Sequence, residues 1–310
     1  MAKSQDVLAL ARAALENNRD HAINVCKCMI ANEPENSSLR ERLKTMLSRV
    51  PSAMVLQDQV PNELKGLVLP HEPLLALSDM ALPTAIGDEL ALFLEEQAHA
   101  DAIRAAGLTV PHKLLLSGPP GNGKTSLAGA VAKALELPFF VLDFSSVVTS
   151  FLGETGSKIA KIFRGIAERP AVLLIDEMET VLSERAGHGS ASDVGEIKRV
   201  VSTLLLEIDR LPDHVILVGA TNHEEMLDRA VVRRFDFLWS LPQPDDEIVQ
   251  AWLHCFAQRY PDIPILSSMP DMEIGGKSIS DIERDLKKWC RRWVVEHATS
   301  KAQPAFALAS

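Results

Sequence analysis

The segment Gly118-Pro119-Pro120-Gly121-Asn122-Gly123-Lys124-Thr125 gathers the residue types that hold a polyanion: glycines, a lysine and a hydroxyl directly after it. Glycines let backbone N–H groups approach phosphate oxygens, and a following helix N-terminus favours negative charge. An apolar run, Leu114 to Leu116, precedes the segment, and a helix-like run begins at Ser126. Strand, loop and helix in that order give a P-loop, in which Lys124 reaches the β- and γ-phosphates and Thr125 holds Mg2+ through its hydroxyl. ATP is therefore the expected ligand, with Pro119, Pro120, Gly121, Asn122, Gly123, Lys124, Thr125 and Ser126 as its binding set.

About fifty residues further on, a spacing that suits such a site, Val172-Leu173-Leu174-Ile175 runs straight into Asp176-Glu177. A continuous apolar run of this kind reads as a parallel strand buried on both faces, and ligands bind at the carboxyl ends of such strands. Asp176 is placed to orient Mg2+ or its waters. Glu177, one residue on, could polarise an attacking water as general base.

These side chains need elements to hold them. Strands are expected over 114–117, 139–143, 171–176 and 215–220, and helices over 85–106 (ending at Gly107), 126–135, 157–167 and 196–211. Alternation of the two implies a doubly wound parallel sheet. After Pro242 and Pro244 the pattern turns helical, over 247–258 and 280–296, which suggests a separate helical subdomain. Residues 5–47 carry helical spacing broken near Pro34 and faintly resemble one tetratricopeptide unit, too small to bury its own apolar face. The expected organisation is a small N-terminal helical domain (1–50), a proline-rich connection over the core (51–83), an α/β subdomain (84–245) and a C-terminal helical subdomain (246–310). The N-terminal helices are the candidate for client or partner recruitment.

Composition narrows the field. Acidic residues outnumber basic ones, 42 against 32, and the net charge of −10 opposes broad attraction to nucleic acid or anionic lipid. Cys26, Cys28, Cys255 and Cys290 are too few and too scattered for a disulfide framework or a four-ligand zinc site. No stretch approaches the roughly 20 apolar residues of a membrane span, so the expectation is a cytoplasmic protein with neither nucleic acid nor membrane as partner.

The order GPPGNGKT, LLIDEME, GATN, RRF resembles the AAA+ ATPases, and within them the AAA subgroup that includes katanin, spastin and the FtsH proteases; the likeness runs from about Leu82 to Trp293. It implies a P-loop AAA+ α/β core with a C-terminal helical lid. Asn222 matches the family's sensor 1 asparagine, which orients the attacking water between the γ-phosphate and Glu177; read from the residue alone it could equally cap a turn. Arg233-Arg234-Phe235 resembles the arginine-finger segment, whose guanidinium serves the nucleotide of a neighbouring subunit. The segment is shorter than the family's usual form, so either arginine could be the finger, or both a salt-bridged surface pair.

Phe151-Leu152-Gly153 falls where the family carries its pore loop, although a phenylalanine there also suits a core. Arg185 to Gly195 resembles a second pore loop or a hinge. Gly276 to Ile282 resembles the sensor 2 segment, with Ser278 or Ser280 near an N-cap and no arginine in line. By this resemblance the chain is a ring-forming ATPase, a homo-hexamer that unfolds or remodels a protein client, with a separate effector enzyme such as a protease able to act beside it. A nucleotide-gated binding switch that assembles around its partner without threading it is the alternative.

Overall fold

The computed structural model describes Arg42, Leu64, residues 67–143, 155–179, 191–269 and 275–299; for 143, 191–198 and 298–299 only the backbone is described. Apart from Arg42, the N-terminal helices expected over 5–47 lie outside those residues, as do Cys26, Cys28 and the Phe151-Leu152-Gly153 loop. No described helix is long and apolar enough to cross a membrane. Among the described residues no group of three or more His, Cys, Asp or Glu is placed to hold a metal ion, and Cys255 and Cys290 are free thiols.

Six strands form one sheet: β1 (Leu69–Pro70), β2 (Lys113–Ser117), β3 (Phe139–Asp143), β4 (Ala171–Asp176), β5 (Val215–Thr221) and β6 (Phe237–Ser240), in the order β1-β3-β4-β5-β2-β6. Only β1 runs antiparallel, against β3; every other pairing is parallel. The helices are α1 (Thr84–Ala98), α2 (Ala100–Ala105), α3 (Lys124–Ala134), α4 (Thr155–Ile166), α5 (Ala191–Arg210), α6 (Arg229–Val232), α7 (Asp246–Arg259), α8 (Ile265–Ser268) and α9 (Ile279–Thr299).

Alternation along each strand divides the apolar side chains between two layers. On β4, Leu173 and Ile175 join Ile159, Phe163, Leu204 and Ile208 of α4 and α5, whereas Val172 and Leu174 join Phe93 of α1 and Leu127 and Val131 of α3. Removing each such side chain from water contributes about 1.5–3 kcal/mol, so the central strands carry much of the stabilising burial. A third apolar cluster, around Trp252, Phe256, Ile282 and Leu286, belongs to α7, α8 and α9.

Several elements differ from the sequence reading. The helix expected over 85–106 is two helices, broken at His99, where the backbone N–H and the ring Nδ1 both meet the Glu95 carbonyl (3.1 and 2.9 Å). The described part of the proline-rich connection joins the sheet layer: β1 pairs at its edge, and Leu64 and Val68 are buried in the α4–α5 layer. Pro70 is tolerated there because an edge strand has one side without ladder bonds. β6 was not expected, and its register is pinned by Asp236, whose Oδ2 accepts the N–H groups of His112 and Lys113 at 2.8 and 2.9 Å. α5 begins at Ala191, so 191–195, read as loop or hinge, is helical.

Candidate functional site

β5 lies between β2 and β4, so the segments leaving the carboxyl ends of these strands emerge side by side, about 4.8 Å apart per strand. That adjacency brings Lys124, Asp176 and Asn222 together from three distant stretches of sequence. The turn out of β2 is set by Gly118 at φ +132, where a Cβ would stand 2.1 Å from the Leu241 carbonyl oxygen. No other residue fits so close to the chain leaving β6. Around the loop lies a cavity of about 260 Å3, lined by Pro120, Gly121, Gly123, Lys124, Thr125 and Ser126 on one side and Asp176, Glu177, Asn222 and Ser280 on the other.

Lys124 is buried, and its ammonium donates to the carbonyls of Gly118 (2.7 Å) and Pro119 (3.0 Å) and to Asn222 Oδ1 (2.8 Å). Burial lowers its pKa from the usual lysine value, against the opposing pull of Asp176 and Glu179. Thr125 Oγ1 donates to Asp176 Oδ2 at 3.1 Å, which sets a hydroxyl and a carboxylate side by side on the cavity wall. Two hard oxygen ligands in that arrangement suit Mg2+, a cation bound by one or two carboxylates or hydroxyls together with phosphate oxygens.

Glu177 has φ +52, the left-handed region that non-glycine residues rarely adopt, and its N–H donates to Asp176 Oδ1 at 2.9 Å. Met178 then returns to the sheet by donating its N–H to the Ala220 carbonyl (3.1 Å). A Cβ at Gly219 would meet Met178 Sδ at 2.5 Å and Phe235 Cζ at 2.9 Å, so the glycine of Gly219-Ala220-Thr221-Asn222 makes room for both neighbours.

The structure adds a residue that the sequence reading passed over. Glu179 is buried, and its Oε1 accepts from both the backbone N–H and the Nδ2 of Asn222, each at 3.1 Å. The available signal was a third acid in Asp176-Glu177-Met178-Glu179, which on its own reads as solvated surface. Asn222 is consequently a fixed member of the cavity wall rather than a turn cap, although Thr221 Oγ1 does accept the His223 N–H just beyond it.

Asn122 behaves differently from the rest of its loop. Its side chain turns away from the cavity, donating Nδ2 to the Pro242 carbonyl (3.0 Å) and accepting the Ile279 N–H on Oδ1 (3.3 Å). Ser280 N–H donates to the Gly121 carbonyl at 3.0 Å, so the start of α9 rests on the phosphate loop. Ser278 is the residue that caps α9: its Oγ accepts the Asp281 N–H (3.2 Å) and donates to Asp281 Oδ2 (2.7 Å), while Ser280 faces the cavity.

The two adjacent arginines part company. Arg234 is half-buried; its Nε stands 2.9 Å from Asp209 Oδ1 on α5, and its Nη1 donates to the Ala230 carbonyl. Arg233 is exposed, and it lines a separate groove of about 660 Å3 with Glu224, Glu225, Leu227, Arg229 and Val232. Buried Phe235 anchors the segment in the core directly behind them.

A family model described as "ATPase family associated with various cellular activities (AAA)" matches residues 114–243, which span β2 through β6 and the residues just described. Over 290 residues the chain is 29% identical to an uncharacterized AAA family ATPase, y4kL, of Sinorhizobium fredii, covering 90% of this chain and 86% of that one. It is 34% identical over 191 residues to the ATP-dependent zinc metalloprotease FtsH of Mesomycoplasma conjunctivae, and 39% identical over 146 residues to the proteasome-activating nucleotidase of Aeropyrum pernix. The chain spans only 25% and 36% of those two proteins. With the phosphate loop, the paired Thr125 and Asp176, and Asn222 at the end of β5 gathered on one cavity, these likenesses support an AAA+ ATPase domain over residues 114–243 that hydrolyses ATP.

Proposed function

We propose that the chain is the ATPase subunit of a ring, a homo-hexamer, that uses ATP hydrolysis to unfold or remodel a protein client. One observation carries the ring: Arg233 stands exposed on a groove separate from the subunit's own phosphate cavity, while its neighbour Arg234 is engaged within the fold. A permanently charged, planar guanidinium held at the surface suits the γ-phosphate of the next subunit, where charge develops in the transition state. The protein client is supported by likeness to two relatives, a metalloprotease and a proteasome-activating nucleotidase, each matched over part of its length.

Within the site, Lys124 neutralises phosphate charge, Glu177 accepts the proton of the attacking water, and Asn222 orients that water by its amide. Thr125 and Asp176 would hold Mg2+, which supplies charge neutralisation at the β- and γ-phosphate oxygens. Ser280 at the start of α9 closes the cavity from the helical side, in keeping with a lid.

The test is complementation between two inactive variants. Lys124→Ala removes a subunit's own nucleotide site, and Arg233→Ala removes the cation lent to its neighbour; subunits of the two kinds, unfolded and refolded together, should regain measurable ATPase. Mixtures as inactive as either variant alone would remove the shared site. Capture of bound proteins by the Glu177→Gln variant in ATP addresses the client separately.

A further inference from the structure

Asn222 is held at both ends of its amide by partners that each tolerate one role. An ammonium only donates, and Lys124 Nζ meets Asn222 Oδ1 at 2.8 Å; a carboxylate only accepts, and Glu179 Oε1 meets Nδ2 at 3.1 Å. The orientation of the amide is therefore dictated by its surroundings and cannot be reversed without setting donor against donor. The same Glu179 oxygen also accepts the Asn222 backbone N–H, so one atom fixes the main chain at the end of β5 and the side chain that follows from it.

Glu179 has the situation of a residue retained for such a task. It is 7% exposed, and its second oxygen, Oε2, is buried with no hydrogen-bond partner among the described residues. Burying an acid is costly unless its oxygens are paired, and the pairing found for Glu179 among the described residues goes to Asn222, which points to a role beyond packing. Glu179 does not line the phosphate cavity, and its link to it runs through Asn222.

We propose that Glu179 is a positioning residue for ATP hydrolysis: by holding both N–H groups of Asn222 it fixes the amide oxygen toward Lys124 and the phosphate cavity. The inference rests on the reading of Asn222 as the water-orienting amide. Without Glu179 only the Lys124 bond to Oδ1 holds the amide, and both the side chain and the main chain at the end of β5 gain freedom to move. Water orientation is then lost, while the phosphate loop and its affinity for nucleotide remain in place.

The experiment measures kcat and KM for ATP in wild type, Glu179→Met, Glu179→Gln, Asn222→Ala and the double Glu179→Met/Asn222→Ala. Glu179→Met removes the oxygen that accepts both N–H groups of Asn222 at closely similar size. Losing a hydrogen bond to a buried charged partner costs about ten- to a hundredfold, and Glu179→Met is expected to show that loss in kcat with KM changed by less than about threefold. Glu179→Gln keeps one accepting oxygen and is expected to recover most of the turnover. In the Asn222→Ala background Glu179→Met is expected to cost far less, because the side chain it acts through is gone.

A Glu179→Met loss of equal size with and without the Asn222 side chain, or a Glu179→Gln protein as slow as Glu179→Met, overturns the proposal. If Glu179→Met does not fold, Glu179→Asp takes its place, with a smaller kcat loss that likewise must shrink beside Asn222→Ala. Wild-type turnover in Asn222→Ala would instead sink the underlying reading of Asn222, an outcome distinct from the failure of Glu179 alone.

Discussion

The phosphate end of the sheet and the arginine segment after β5 belong to one subunit but are built on opposite plans. At the first, charged and polar groups answer one another inside the molecule: Lys124 to Asn222, Asn222 to Glu179, Thr125 to Asp176. At the second, one arginine is tied to Asp209 and the Ala230 carbonyl while the other stands at the surface. Buried networks gain their rigidity from being satisfied within the chain, whereas an exposed guanidinium retains its donors for something outside it. The phosphate end is thus satisfied within the chain, whereas Arg233 stays exposed at its surface.

Exchanging the plans of the two arginines is the harshest trial of this contrast. Arg233→Ala is expected to lower kcat by about a thousandfold or more, the scale of a guanidinium acting on a transferring phosphoryl group, with nucleotide affinity little altered. Arg234→Ala is expected to lower thermal stability, because it leaves Asp209 and the Ala230 carbonyl without their partner, and to reduce turnover only in step with that. Steady-state ATPase beside a thermal melt for each variant decides the matter; a larger kcat loss from Arg234→Ala would reverse the assignment.

Glu177→Gln tests the first region from inside. Loss of a general base costs about a hundredfold or more in turnover, and ATP should remain bound because Lys124, Thr125 and Asp176 are untouched. Trapped ATP should also hold subunits together, so light scattering is expected to give a larger mass with ATP than without. A variant that hydrolyses at near wild-type rate would show that Glu177, despite its left-handed backbone, is not the base.

The chemistry of the first region was legible in the sequence and its wiring was not. Continuous apolar runs gave β3 and β4 their observed bounds, because strands buried on both faces leave no ambiguity of period. The phosphate loop announced itself through glycine spacing. β1 and β6 escaped because two and four residues are too short for a period to register. Glu179 escaped for another reason: its burial depends on Asn222, 43 residues away, and an acid at the end of an acidic run carries no sign of that partner. In the second region the residue types pointed to an arginine pair, but which of the two is free depends on where α5 places Asp209, and no local pattern holds that information.

Asn122 joins the first region to the C-terminal helices, and breaking that join should have an intermediate effect. Asn122→Ala deprives the Pro242 carbonyl and the Ile279 N–H of their partner at a nearly buried position, a change worth about 1–3 kcal/mol. Because those bonds set how α9 rests on the phosphate loop, a severalfold rise in KM for ATP is expected, with kcat nearly retained. Kinetics that show kcat falling and KM constant would mean that the α9 contact does not help to hold nucleotide.

The mildest change probes how firmly the second region presents its cation. α6 is a single turn, and Asp228 starts it: Oδ1 accepts the Ala230 N–H at 2.9 Å and the carbonyl accepts those of Val231 and Val232. Replacing such a cap by alanine costs about 1 kcal/mol. Most of the core lies elsewhere, so Asp228→Ala should move the thermal midpoint little. It should reduce kcat severalfold, because the turn that carries Arg233 would sample other positions while Phe235 remains anchored. Asp228→Asn retains the accepting oxygen and should recover most of the turnover. Equal kcat in all three proteins would mean that Arg233 meets its neighbour from a segment whose order is imposed by the neighbour itself, and the contrast between an ordered interior and a poised surface would then extend to the backbone as well as the side chains.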